Sequence, residues 1–250
     1  MRAFIDAKAR AVVLPKGVTV TLVAPRYPVN LGHVARLVRN FGVERLYLVN
    51  PRVDMSVAAV YASHASDVLD DAEEISFQDL RERTELLVAT TAVRARRRSN
   101  FIRRSLTPER VRDVLASAKS SSLVFGRDST GLTNQEINFC DATVTIDVGT
   151  EYKSLNLGHA VAIMLYAASR GVRTKGRVQS RTAREVFAKG FRDLAVASSI
   201  HPHKVKNIYE VGKRIASASQ LTDAQLNLMS GAFNKAVDAI GGSHSGDSKT

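Results

Sequence analysis

Tryptophan is absent and cysteine occurs once, at Cys140, so no intramolecular disulfide can form and no cysteine-rich metal site can be assembled. A reducing, cytoplasmic compartment is the expectation. Aromatic residues supply only 6% of the 250 residues against 44% apolar overall. That balance suits an aliphatic core, large enough for one α/β domain and a small appendage. The longest unbroken apolar run, Ala160–Ala168, has nine residues, far short of the roughly 20 that a transmembrane helix needs. The opening Met1-Arg2-Ala3-Phe4-Ile5-Asp6 has no signal-peptide apolar stretch. Several chemical signatures are missing as well: the Gly-x-x-x-x-Gly-Lys-Ser/Thr phosphate loop, Gly-x-Gly-x-x-Gly after the first strand, His-Glu-x-x-His and Gly-x-Ser-x-Gly. Their absence argues against nucleotide hydrolases, ordinary dinucleotide enzymes, zinc proteases and α/β-hydrolases. His33 and His159 lack metal-ligand spacing and read as packing groups, so no metal is expected.

Basic charge, by contrast, is abundant, with a formal net charge of +12. Residues 171–250 carry thirteen Lys/Arg against six Asp/Glu, and eight arginines fall between Arg94 and Arg112 beside one carboxylate, Glu109. Blocks of one sign serve polyanions more often than they merely solvate a face, so nucleic acid is the expected partner.

Val18–Ala24, a β-branched run, reads as a buried strand that Pro25 and Pro28 interrupt, and Asn30 reads as the cap of the next helix. In that helix Leu31, Val34, Ala35, Val38 and Phe41 share the core face, and Gly42 stops it. Arg45–Val49, Glu85–Thr90, Ser122–Phe125 and Ala142–Ile146 are further strands. Helices are expected at Ser56–Tyr61, at Phe77–Arg83, after Thr107 and Pro108, after a capping box at Thr133 and Glu136, and over Asn156–Arg170. Strand and helix alternate, which predicts an α/β fold with a parallel sheet flanked by helices over residues 1–170. Residues 171–181 read as a basic linker. Residues 182–240 read as a small C-terminal helical module of three helices capped at Thr182 and Thr222, and 241–250 as a disordered tail.

Loops after parallel strands converge on one crevice. Here they offer Gly126 for close backbone approach, hydroxyls on Thr90, Thr91 and Ser154, and apolar contact from Ile146 and Leu155. Small, neutral and hydrogen-bonding residues suit an adenosine-like ligand better than a polyphosphate.

Three stretches, Asn30-Leu-Gly-His-Val-Ala-Arg36, Leu123-Val-Phe-Gly-Arg-Asp-Ser-Thr-Gly-Leu132 and Glu151-Tyr-Lys-Ser-Leu-Asn-Leu157, resemble in order and spacing the motifs of the SPOUT (TrmH-type) RNA ribose 2′-O-methyltransferases. The flanks Pro25–Asn30 and Leu48–Pro51 are most similar to the TrmJ branch, which methylates the ribose of nucleotide 32 in the tRNA anticodon loop, and the likeness spans about residues 18–170. The resemblance implies a trefoil knot in the C-terminal part of the sheet, the cofactor S-adenosyl-L-methionine, tRNA as partner, and a homodimer with composite active sites. It places cofactor contacts on Thr90, Thr91, Ala92, Gly126, Ile146, Ser154, Leu155 and Asn156. Arg36 matches the essential arginine, with Asn30 beside it in the catalytic motif, and Arg127 and Tyr152 match positions near the RNA. Val93 stands where bacterial relatives often carry arginine, which passes that contact to Arg94 or Arg96. The C-terminal module is closer to the archaeal form.

Transfer of a sulfonium methyl to a ribose hydroxyl is an in-line displacement that needs alignment above all. A guanidinium with a pKa above about 12 is a poor base, so Arg36 is expected to grip phosphate and stabilise developing alkoxide. Methylation of ribosomal RNA by the same chemistry and a non-catalytic RNA-binding role are the alternatives.

Overall fold

The computed structural model describes residues 13–92, 105–170, 179–219 and 221–243. Six parallel strands form one sheet in the order β3-β2-β1-β5-β4-β6. They are β1 (Val18–Val23), β2 (Leu46–Val49), β3 (Glu73–Glu74), β4 (Leu86–Thr90), β5 (Ser121–Phe125) and β6 (Ala142–Val144). Central β1 pairs with β2 in the register Val20↔Leu46 and with β5 in the register Val20↔Leu123. Each chain crossover carries helix, as a parallel sheet requires.

The strand period of two sorts the core into two layers. Val20, Leu22, Leu48, Val88 and Phe125 face one side, where α1 (Pro28–Phe41), α2 (Met55–Ala62), α3 (Ser66–Asp70), α5 (Pro108–Leu115) and α7 (Leu157–Ser169) cover them. Val23, Val49, Leu87, Ala89 and Val124 face the other, against Leu80 of α4 (Phe77–Arg83) and Ile137 of α6 (Asn134–Phe139). At an order-of-magnitude value of 1.5–3 kcal/mol per fully buried aliphatic side chain, these two layers dominate the folding energy.

The helix bounds follow local chemistry. Gly42 ends α1 in the left-handed conformation at φ 63°, and its N–H bonds the Arg39 carbonyl. Thr133 and Glu136 form the expected capping box of α6. Two expected caps differ. Pro28 occupies the first turn of α1 and Tyr27 the cap position, which frees the Asn30 side chain for other partners. Ser180, not Thr182, caps the helix Arg181–Ala197, accepting from Ala183 N–H.

That helix, α8, packs with α9 (Pro202–Ala218) and α10 (Asp223–Ser243) around Phe187, Ala216 and Leu226. Thr222 and Gln225 exchange capping hydrogen bonds at the start of α10. The helix runs on to Ser243, past the expected end at residue 240. The module meets the sheet through Arg184, which donates to the carbonyls of Glu85 and Gln179, and through Arg181, which donates to the Arg81 carbonyl at 3.0 Å. Glu85 precedes β4, so these contacts sit at the amino ends of the strands.

β6 lies between β4 and Leu106: Thr91 N–H donates to the Val144 carbonyl and Leu106 N–H to the Thr143 carbonyl. The expected knot depends on residues 93–104, which lie outside the described residues.

Candidate functional site

A cavity of about 710 Å³ opens at the carboxyl ends of β4, β5 and β6. Parallel sheets place ligands there because the strand-following loops meet at that edge, and the volume suits a small-molecule ligand. Seven expected contacts line it: Thr90 at the end of β4 with Thr91 and Ala92 beyond it, Gly126 after β5, and Ile146, Ser154 and Leu155 after β6. Gly126 is obligatory, because a Cβ there would stand 2.1 Å from the backbone of Gly131 and Leu132, where the loop doubles back on itself.

Leu132, Ile146, Leu155 and Leu157 give the cavity apolar walls. The Thr143 hydroxyl, buried on its lining, has no hydrogen-bond partner among the described residues. Thr90 donates its hydroxyl to the Val124 carbonyl at 3.0 Å. Of the two cations on the lining, Lys153 and Arg127, the second is neutralised. Its guanidinium donates to both carboxylate oxygens of Glu136 at 2.9 Å, and that hydrogen bond raises its pKa. The lining therefore fits an amphipathic nucleoside with a short polar tail, with Lys153 the single cation on it, among the described residues, that has no ion pair.

Arg127, expected near the RNA, is paired with Glu136 inside its own loop and lines both this cavity and the neighbouring cleft. Tyr152 does not line the cavity; the residue is 80% exposed. Arg94 and Arg96 lie outside the described residues.

Beside the cavity three loops are tied together by side chains. Asn30 Nδ2 donates to Asp128 Oδ1 at 2.5 Å, and Asn156 Nδ2 donates to Asn30 Oδ1 at 2.9 Å. Asn156 Oδ1 in turn accepts from Gly158 N–H at 2.9 Å and caps α7. Asn156 therefore acts at the edge of the cavity and is absent from its lining. Asp128 also accepts from Arg26 N–H at 3.1 Å. Sequence reasoning missed Asp128; its only signal is its place two residues after Gly126.

Arg36 is exposed and makes no ion pair among the described residues. It lies six residues beyond Asn30 on α1 and is absent from the lining of the cavity of its own chain. On α1, Gly32 lets α2 approach so closely that a Cβ would meet Tyr61 Cβ at 2.5 Å, and His33 Cβ stands 3.5 Å from the equivalent point on Gly158 of α7.

An all-parallel α/β sheet with a nucleoside-sized cavity among three interlinked strand-following loops defines a ligand-binding α/β protein. Within that class the chain belongs to the SpoU rRNA methylase family, whose model matches residues 17–166. It is 30% identical over 226 residues to the tRNA (cytidine-2′-O-)-methyltransferase TrmJ of Methanocaldococcus jannaschii, covering 86% of this chain and 98% of that one. It is 32% identical over 203 residues to the TrmJ of Sulfolobus acidocaldarius, covering 79% and 84%. Among solved structures, TrmJ from Z. mobilis shares the fold with a TM-score of 0.60 at 23% identity, over 89% of this chain and 99% of that one. No helix among the described residues is long and apolar enough to cross a membrane, and no group of three or more potential metal ligands is present among them.

Proposed function

We propose that this protein methylates the ribose 2′-hydroxyl of nucleotide 32 in the tRNA anticodon loop, using S-adenosyl-L-methionine, as a homodimer. The observation that carries the reading is the hydrogen-bonded chain Asp128–Asn30–Asn156, which fixes the loops after β1, β5 and β6 at the mouth of a cofactor-sized cavity. The likeness to archaeal TrmJ proteins over most of the chain supports tRNA as the substrate.

The residues present fit the cofactor. The walls formed by Leu132, Ile146, Leu155 and Leu157 suit an adenosine, and the unpartnered Thr143 hydroxyl and the backbone beside Gly126 offer hydrogen bonds. Bound there, the cofactor supplies an electrophilic methyl on a positively charged sulfur. The protein aligns the nucleophile, and Asn30, held from both sides, presents a fixed amide edge toward the ribose. Arg36 grips the adjoining phosphate and offsets alkoxide charge.

Arg36 is exposed and absent from the lining of its own cavity, and in this reading it completes the site of a second copy. Val60 and Tyr61 on α2 and Ile163 and Tyr166 on α7 are exposed apolar residues on the two helices that flank α1, a surface suited to self-association.

The test is transfer of radiolabelled methyl from S-adenosylmethionine to unmodified tRNA transcripts, with the modified ribose mapped by nuclease digestion and mass spectrometry. Methylation at nucleotide 32 is the expected result. Transfer to ribosomal RNA alone would remove the tRNA assignment, and cofactor binding with no transfer to any RNA would favour a binding protein.

A further inference from the structure

Next to the cofactor cavity, at the carboxyl ends of β1 and β2, an open cleft of about 560 Å³ is lined by Ala24, Arg26, Asn50, Arg52, Glu74 and Arg127, with Pro51 at its rim. Two non-glycine residues turn the chain into it through the left-handed region, Ala24 at φ 47° and Asn50 at φ 49°. Asparagine tolerates that conformation, whereas alanine adopts it against the crowding of its Cβ with backbone. The two loops are fastened to each other, because Arg52 N–H donates to the Pro25 carbonyl at 3.0 Å. They are also fastened to the reaction site, because Arg26 N–H donates to the Asp128 carboxylate that holds Asn30.

Three arginines thus converge from anchored backbone. Arg127 is neutralised by Glu136. Arg26 and Arg52 are exposed and take part in no ion pair or side-chain hydrogen bond among the described residues, although Glu74 lies on the same cleft. Two unpaired guanidinium forks facing one concavity match the oxygens of a phosphodiester, which accepts paired N–H donors from such forks.

We propose that Arg26 and Arg52 clamp an RNA backbone phosphate adjoining the target nucleotide, and so hold the strand beside the reaction site. The inference rests on the RNA methyltransferase reading and adds to it the residues that position the strand. Such a contact positions RNA without reading its sequence. Glu74, on the same rim, opposes the phosphate and limits its affinity.

The experiment compares wild type with Arg26→Ala/Arg52→Ala, Arg26→Lys/Arg52→Lys and Glu74→Gln in methyl transfer, in tRNA binding across a salt series and in cofactor calorimetry. For the double alanine variant the KM for tRNA rises roughly tenfold or more, kcat stays within about twofold, and the slope of log affinity against log salt shrinks by about 1. Cofactor affinity is unchanged. The lysine pair retains the salt slope while losing part of the affinity, since it keeps charge without the fork, and Glu74→Gln tightens RNA binding severalfold. Unchanged KM and salt slope in the alanine pair would overturn the clamp. So would a fall in kcat alone, or Glu74→Gln binding RNA no better than wild type, a result that remains decisive if the alanine pair folds poorly. If wild type methylates no RNA at all, the functional reading fails on that arm, and the clamp is still judged on the salt series for tRNA binding.

Discussion

Asn30 and Asp128, 98 residues apart in sequence, are joined by a hydrogen bond of 2.5 Å that locks the start of α1 to the loop after β5. The carboxylate accepts from the amide and from Arg26 N–H, so removing it unfastens two loops at once. Asp128→Ala is expected to lower kcat roughly 10- to 100-fold through lost alignment, while costing only about 1–2 kcal/mol of stability. Single-turnover methyl transfer alongside urea denaturation separates the two effects. Unaltered kcat would show that Asn30 needs no such support.

Gly126 admits no side chain, since its Cβ would meet the backbone of Gly131 and Leu132 at 2.1 Å and neither can yield as a flexible side chain would. Gly126→Ala should displace the loop and weaken S-adenosylmethionine binding at least about tenfold by calorimetry. Gly131→Ala is the contrasting variant: it has open space around the new Cβ but a φ of 68°, so it should cost about 1 kcal/mol of stability and leave cofactor binding measurable.

The sheet was legible because each strand is a short aliphatic run bounded by turn residues, and the cavity because its lining follows those strands directly. β3 was not: two glutamates, Glu73 and Glu74, carry no strand pattern and pair only at the edge of the sheet. Asn30 looked like a helix cap since asparagine after a proline reads so locally, yet Pro28 begins the helix and tertiary partners claim the amide. The pairing of Arg127 with Glu136, nine residues on, is likewise visible only in the fold. Pairings such as Asn30 with Asp128 leave no periodic trace, because they depend on strand order and not on spacing.

Arg36 is absent from the lining of the cofactor cavity, so Arg36→Ala should leave cofactor affinity intact while abolishing transfer, with at least about a 10²-fold loss of kcat. If sites are shared between copies, mixing Arg36→Ala with Asn156→Ala chains restores activity. Random exchange makes half the dimers mixed, each with one intact site, so recovery should reach about a quarter of wild type. No recovery, with subunit exchange verified independently, would place Arg36 in its own chain's site. Arg36→Lys adds a further check, since substantial activity with an unchanged pH–rate profile would count against a need for the guanidinium fork.

Arg81 and Asp141 form a buried bidentate pair, 7% and 4% exposed, with contacts of 2.5 and 2.7 Å, and Leu87 N–H gives the carboxylate a third donor at 2.8 Å. Burial alone would raise the Asp141 pKa, but the Arg81 hydrogen bonds and charge prevail and hold it below its ordinary value of 3.8. A carboxyl group whose pKa is depressed by folding stabilises the protein fully above that ordinary value, and the contribution fades as pH falls through the folded-state pKa. Wild type should therefore lose stability progressively below about pH 4, and Asp141→Asn should show a shallower acid slope. At neutral pH the same variant leaves Arg81 buried without its counter-charge and should cost about 3–5 kcal/mol. Arg81→Met/Asp141→Leu removes both charges and should recover part of that loss, the remainder reflecting the unmet Leu87 N–H. Urea titrations from pH 3 to 7 measure all three. Asp141 precedes β6 and Arg81 offers its carbonyl to Arg181 of α8, so a small cost for Asp141→Asn would mean that the pair is not what secures this end of the sheet against the helical module.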